Sequence, residues 1–194
     1  DAERLSAEDE PYHREPITYE APYLDNLPTA PREKFAANIA AIQKLKEIEQ
    51  RVANGGSPAF EDEQKILAQY TGWGGLSDAF DPNKSAWSNE YSQLKAALSE
   101  SEYEPARSST LTAFYTPATV IHPIYRALER FGVKGGKILE PSMGTGAFLA
   151  HGHFGSSDAK FYGVELDSIT GRISKQLYQK ANIQVTGYEN ALLP

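Results

Sequence analysis

Residues 138–150 read Ile138-Leu139-Glu140-Pro141-Ser142-Met143-Gly144-Thr145-Gly146-Ala147-Phe148-Leu149-Ala150. The stretch opens short and apolar, as a buried strand does. It passes through Glu140 and Pro141 into a turn with Gly144 and Gly146, and leaves through residues that suit a helix. Strand, glycine turn and helix build a ligand site at the carboxyl end of a parallel sheet. Glycine lets backbone approach the ligand, and the helix start offers free N–H groups. A carboxylate at the strand end favours a cationic or hydroxyl-rich ligand over phosphate. The spacing is Gly-x-Gly-x-x-Leu, without the third glycine of the dinucleotide fingerprint, and no Gly-x4-Gly-Lys-Ser/Thr occurs. The plain alternative is a strand-turn-helix corner that binds nothing.

Outward from this point, residues 160–166, with Phe161, Tyr162, Val164 and Leu166, read as a second strand ending in Glu165-Leu166-Asp167. An acid about 20 residues beyond a glycine turn, at the next strand tip, accepts ribose hydroxyls. Residues 168–180 read as a helix and residues 183–185 as a third strand, followed by Glu189. Upstream, Thr116-Pro117 opens a helix to Arg130, with Thr116 as N-cap and Val120, Ile121, Ile124, Tyr125 and Leu128 inward. Pro123 is expected to kink it. His151 and His153 read as loop residues, since no further ligands converge on them.

The amino-terminal half reads as helical. Phe35, Ile39, Ile42, Leu45, Ile48 and Val52 form one stripe from Pro31 to Ala53, and Asn54-Gly55-Gly56 ends it. A second helix is expected over residues 58–70, capped by Ser57, with Ile66, Leu67 and Tyr70 inward. Tyr70-Thr71-Gly72-Trp73-Gly74-Gly75-Leu76 reads as a tight turn pinned by a buried indole, with a loop lining a ligand or nucleic-acid groove as the alternative. Trp87, Tyr91, Leu94 and Leu98 mark a third helix, and residues 102–107 a polar connection. Residues 1–30 hold acids, prolines and tyrosines without periodicity and read as an extended arm, from which Tyr19, Tyr23 and Leu24 could pack on the body.

The sequence of 194 residues has 23% charged and 40% hydrophobic residues, as in a globular chain, and no cysteine for disulfides or thiolate metal sites. No membrane-crossing run or signal peptide is visible. The net charge of −7 is uneven: residues 1–31 hold eight acids and two bases, the rest eighteen and seventeen. The body is thus nearly neutral, which argues against a strong DNA grip averaged over it. The first residue is not methionine, and a piece of a longer protein is expected.

Three stretches together resemble the S-adenosylmethionine-dependent DNA adenine-N6 methyltransferases: Phe114-Tyr115-Thr116-Pro117, residues 139–149, and Tyr162-Gly163-Val164-Glu165-Leu166-Asp167. More narrowly, residues 70–76 and 163–173 are similar to very large bacterial proteins of phages, plasmids and conjugative elements, which fuse such a domain to a helicase. The resemblance spans roughly residues 30–194. It implies an α/β fold comprising the first strands of a Rossmann-like class I methyltransferase sheet, with an acidic arm (1–30), a helical region (31–110) and the start of the methyltransferase domain (111–194). It also implies S-adenosylmethionine held by Tyr115, Thr116 and Pro117, by Glu140, Pro141, Ser142, Met143, Gly144, Thr145 and Gly146, by Glu165 and Leu166, and by Glu189. In that pattern Thr116 meets the methionine carboxylate, Glu140 lies near the ammonium, Glu165 takes the ribose hydroxyls and Glu189 lies near the adenine amine. The family's Asn/Asp-Pro-Pro-aromatic motif is not in the sequence, so these residues alone are expected to be inactive. DNA and a helicase in the same parent chain are the implied partners, and the cytoplasm the implied location. The alternative is a non-catalytic methyltransferase-like scaffold in an anti-restriction or DNA-transfer protein.

Overall fold

The computed structural model describes residues 15–19, 27–152 and 159–192; Tyr23, Leu24 and His153 lie outside them. Among the described residues there are seven α-helices and one three-stranded sheet. The helices are α1 (Pro31–Ala53), α2 (Glu61–Leu67), α3 (Ser88–Ala97), α4 (Glu100–Ser108), α5 (Ala118–Arg130), α6 (Ala147–His151) and α7 (Ser168–Leu177). The strands are β1 (Gly136–Glu140), β2 (Ala159–Glu165) and β3 (Asn182–Val185). None of these helices is long and apolar enough to cross a membrane.

The sheet is parallel throughout, in the order β1-β2-β3. Parallel neighbours need crossovers, and α6 and α7 supply them. Steady movement in one direction with right-handed crossovers puts both helices on one face. The contacts agree: Ala147 and Phe148 of α6 join Ile138 and Phe161 in one cluster with Ile121 and Tyr125 of α5, and Ile169, Ile173 and Leu177 of α7 share a core with Ile183. On the other face of β1, Lys137 and Leu139 are exposed.

The helical half and the sheet share one buried cluster, running from Phe35 and Trp73 through Met143 to Ile173. Arg172 of α7 reinforces the join. Its guanidinium donates to both Glu49 oxygens of α1 at 2.7 and 2.6 Å and to Glu102 of α4 at 2.7 Å. Tyr19 is buried, and its N–H donates to the Leu177 carbonyl at 2.7 Å, so the described part of the arm does pack on the body.

Several expectations need correction. The second helix is shorter, because Glu63 caps the Phe60 N–H at 2.9 Å and starts it there rather than at Ser57. Ile66, Val52, Val120 and Ile124 are exposed, since the buried face of each helix is narrower than its apolar stripe. Residues 100–108 form a helix despite Pro105, with Glu102 accepting the Ser99 N–H at 2.9 Å. Helix α5 starts one residue later than expected. Pro117 sits at its N-cap and its carbonyl receives the Val120 and Ile121 N–H groups, so Thr116 is not the cap. Helix α7 stops at Leu177 rather than Lys180.

Candidate functional site

Trp73 is buried among Phe35, Tyr70 and Phe80, with its ring edge-on to Phe80 at 5.3 Å. The indole therefore pins the glycine loop. Asn38, fully buried in α1, fixes it from below. Its amide donates to the Gly72 carbonyl at 2.7 Å and its oxygen accepts the Thr71 N–H at 2.8 Å. The loop is also a wall. A Cβ on Gly74 would lie 2.2 Å from the Ala113 carbonyl oxygen, and one on Gly72 would lie 2.8 Å from the Tyr115 hydroxyl. The tight-turn and groove-lining readings thus both describe this loop: the indole faces the core and Gly72 faces a cleft.

That cleft, of about 690 Å³, lies at the carboxyl edge of β2. One side is made by Ser142, Gly144, Glu165, Leu166, Asp167 and Thr170; the other by Tyr70, Gly72, Pro105, Ser108 and Thr112; Phe114 and Tyr115 lie between. A small adjoining hollow of about 70 Å³ is lined by Tyr115, Thr116, Glu140, Ser142, Met143, Gly144 and Thr145, among others.

Glu165 ties the strand tip to the glycine turn. One carboxylate oxygen accepts the Gly144 N–H at 2.8 Å and the other the Asp167 N–H at 2.8 Å. Burial pushes its pKa up, while these backbone donors and a third at Leu166 pull the other way. A carboxylate can accept about four hydrogen bonds, so about one acceptor position remains for a ligand hydroxyl. Asp167 accepts from the Thr170 N–H at 2.8 Å and from its hydroxyl, and the Tyr115 hydroxyl lies 3.4 Å from that hydroxyl. Burial holds the Tyr115 and Tyr70 phenols protonated, with pKa values above the ordinary one. Burial likewise raises Glu140, and Tyr125 is pushed to about 12 by burial and by Glu140 beside it.

Gly144 adopts φ 55°, and a Cβ there would lie 2.9 Å from the Tyr115 ring. The ring thus rests directly on the glycine turn. Of the residues named from sequence, Tyr115, Ser142, Gly144, Glu165 and Leu166 line the cleft, and Thr116, Glu140, Met143 and Thr145 line the hollow. Pro117 and Pro141 are exposed and line neither, and Gly146 is covered by the Tyr178 ring. Glu189 is exposed in a 3-10 turn after β3 and lines neither. No sequence signal marks the α4 edge at Pro105 and Ser108, whereas Tyr70 belongs to the glycine loop and Asp167 and Thr170 to the stretch after the acidic strand end, none with a binding role of its own. The only signal for Asp167 and Thr170 was their place directly after the acidic strand end.

The described cleft lining holds two acids, several hydroxyls and exposed Phe114 and Leu166, and no lysine, arginine or histidine. It suits a neutral or cationic ligand with hydroxyl donors and a flat apolar part, and it is ill suited to a polyphosphate. No group of three or more potential metal ligands occurs among the described residues.

Together these features define a mixed α/β protein with a small parallel sheet, a helical cover and a cleft at the strand ends. The chain is similar to the Defense against restriction protein B of Escherichia phage P1, with 26% identity over 177 residues. The match covers 91% of this chain and 6% of that much longer protein. No family model matches the chain, and no solved structure matches it.

Proposed function

We propose that the chain is a methyltransferase-like, non-catalytic scaffold module of a large anti-restriction protein of a mobile element, acting around DNA. The observation that carries this reading is the similarity to a protein named for defence against restriction, extending over 91% of the chain. The parallel β1-β2-β3 order with a cleft at the strand ends supports a Rossmann-like origin. A helicase region in the same protein belongs to this reading as well.

A second reading rests on Glu165. Its carboxylate, held over the glycine turn in a cleft without basic residues, fits the ribose of S-adenosylmethionine. In that reading the protein carrying this chain transfers methyl groups to adenine N6, with positioning and exclusion of water as the main catalytic contributions.

One experiment separates them. The protein carrying this chain is tested for protection of unmodified DNA in a restricting host, and its DNA is assayed for N6-methyladenine. The scaffold reading expects protection without methylation, unchanged in Glu165→Ala. Methylation lost in Glu165→Ala, with S-adenosylmethionine affinity falling tenfold or more by calorimetry, would replace it with the second reading.

A further inference from the structure

The sheet is electrically polar. Glu140 and Glu165 close β1 and β2, and Glu189 follows β3. The opposite end is basic. Lys137 and Lys160 stand near the starts of β1 and β2 and face each other in register, and Lys180 precedes β3. Side chains of in-register partners point to the same face of a sheet whose strands lie ~4.8 Å apart. Like charges so placed destabilise the pairing unless an anion neutralises them. Neither Lys137 nor Lys160 has an ion-pair partner among the described residues.

The same end gathers further cations. Helix α5 runs back to the start of β1, so Arg130 is followed within a short turn by Lys134 and Lys137. Arg126 and Arg130 are four residues apart, on one exposed side of α5. Residues 122–139 contain four bases and one acid, Glu129, in a chain of net charge −7. Phe131, at the carboxyl end of α5 and next to Arg130, has 82% of its surface exposed. An exposed aromatic beside exposed cations combines base stacking with phosphate attraction.

We propose that the amino-terminal rim of the sheet, centred on Arg130, Phe131, Lys137 and Lys160, binds the backbone of single-stranded nucleic acid and stacks one base on Phe131. The near-neutral average of the body conceals this surface, because acids and bases are segregated to opposite ends of the strands. The rim is remote from the Glu165 cleft along the strands, so neither reading of that cleft is required.

The test is fluorescence anisotropy of a labelled 20-nucleotide thymidine strand and a duplex of equal length, from 50 to 200 mM salt. The single strand is expected to bind more tightly. Lys137→Glu with Lys160→Glu should weaken binding at least tenfold and reduce the log–log salt slope by about 1.4. Phe131→Ala should weaken it by roughly 5- to 100-fold. Lys44→Glu on α1 makes a single charge reversal away from the rim and should change affinity less than twofold. These rim side chains are exposed, and circular dichroism will show that the variants fold. No binding at 50 mM salt, equal weakening by Lys44→Glu, preference for the duplex, or indifference to Phe131→Ala would each overturn the proposal.

Discussion

Glu165 accepts backbone N–H groups from the glycine turn at Gly144 and from the strand end at Asp167, with one oxygen each. Replacing it with glutamine puts an N–H₂ where one acceptor stood, and a half-buried N–H loses its partner. A destabilisation of about 1–3 kcal/mol is expected from urea unfolding. Glu165→Asp keeps both oxygens but shortens the reach and should cost less. Gly144→Ala is the sharper probe of the site. Its Cβ meets the Tyr115 ring at 2.9 Å, at a φ of 55° that L residues rarely adopt. A loss of about 1–2 kcal/mol is expected, with displacement of Tyr115 visible in the near-ultraviolet circular dichroism. An unchanged tyrosine signal would mean that the ring does not rest on this turn.

At the scale of elements, the glycine loop of residues 72–75 acts as a spacer between α1 and the residues that lead into α5. Asn38→Ala removes an acceptor for Thr71 and a donor for Gly72 in a site without solvent, so about 1–3 kcal/mol of stability should be lost. Gly74→Ala drives a methyl to within 2.2 Å of the Ala113 carbonyl and should cost a comparable amount, read from the same unfolding curves. The legibility of these parts differs for physical reasons. Helix α1 was readable with its bounds, because a long stripe, Pro31 and Gly55 all report locally. Helix α4 was not, because Pro105 reads as a breaker and masks the Ser99-x-x-Glu102 capping box that starts the helix. The glycine turn and Glu165 were legible because strand, turn and acid are contiguous in sequence. Pro105, Ser108 and Thr170 were not, since two helices distant in sequence, α4 and α7, bring them to one cleft. Periodicity also overstated the core at Ile124 and Val120. It gives the direction of an apolar face but not the width that neighbours cover.

For the whole molecule, the question is whether the helical half and the sheet unfold as one body. Arg172 and Glu102 decide much of it. The side chain of Glu102 is 9% exposed and that of Arg172 26% exposed. Burial alone would raise the Glu102 pKa, but hydrogen bonds from Arg172, Lys46 and the Ser99 N–H outweigh it and hold the carboxyl at about 2. Because the folded value lies below the ordinary 4.5, Glu102 contributes stability above that pH, and the contribution is lost as pH falls toward 2. Acid should therefore loosen the junction of α1, α4 and α7. In Glu102→Gln the decline between pH 4.5 and 2 should flatten. Arg172→Met leaves Glu49 and Glu102 facing each other without their shared cation. A loss of about 2 kcal/mol at pH 7 is expected, between the values for exposed and fully buried pairs. Urea melts followed by tryptophan fluorescence, which reports the helical half, and by far-ultraviolet circular dichroism should coincide in the unaltered chain and separate in Arg172→Met. Coincident curves in both would place the coupling in the shared apolar cluster, with Arg172 adding strength but not cooperativity.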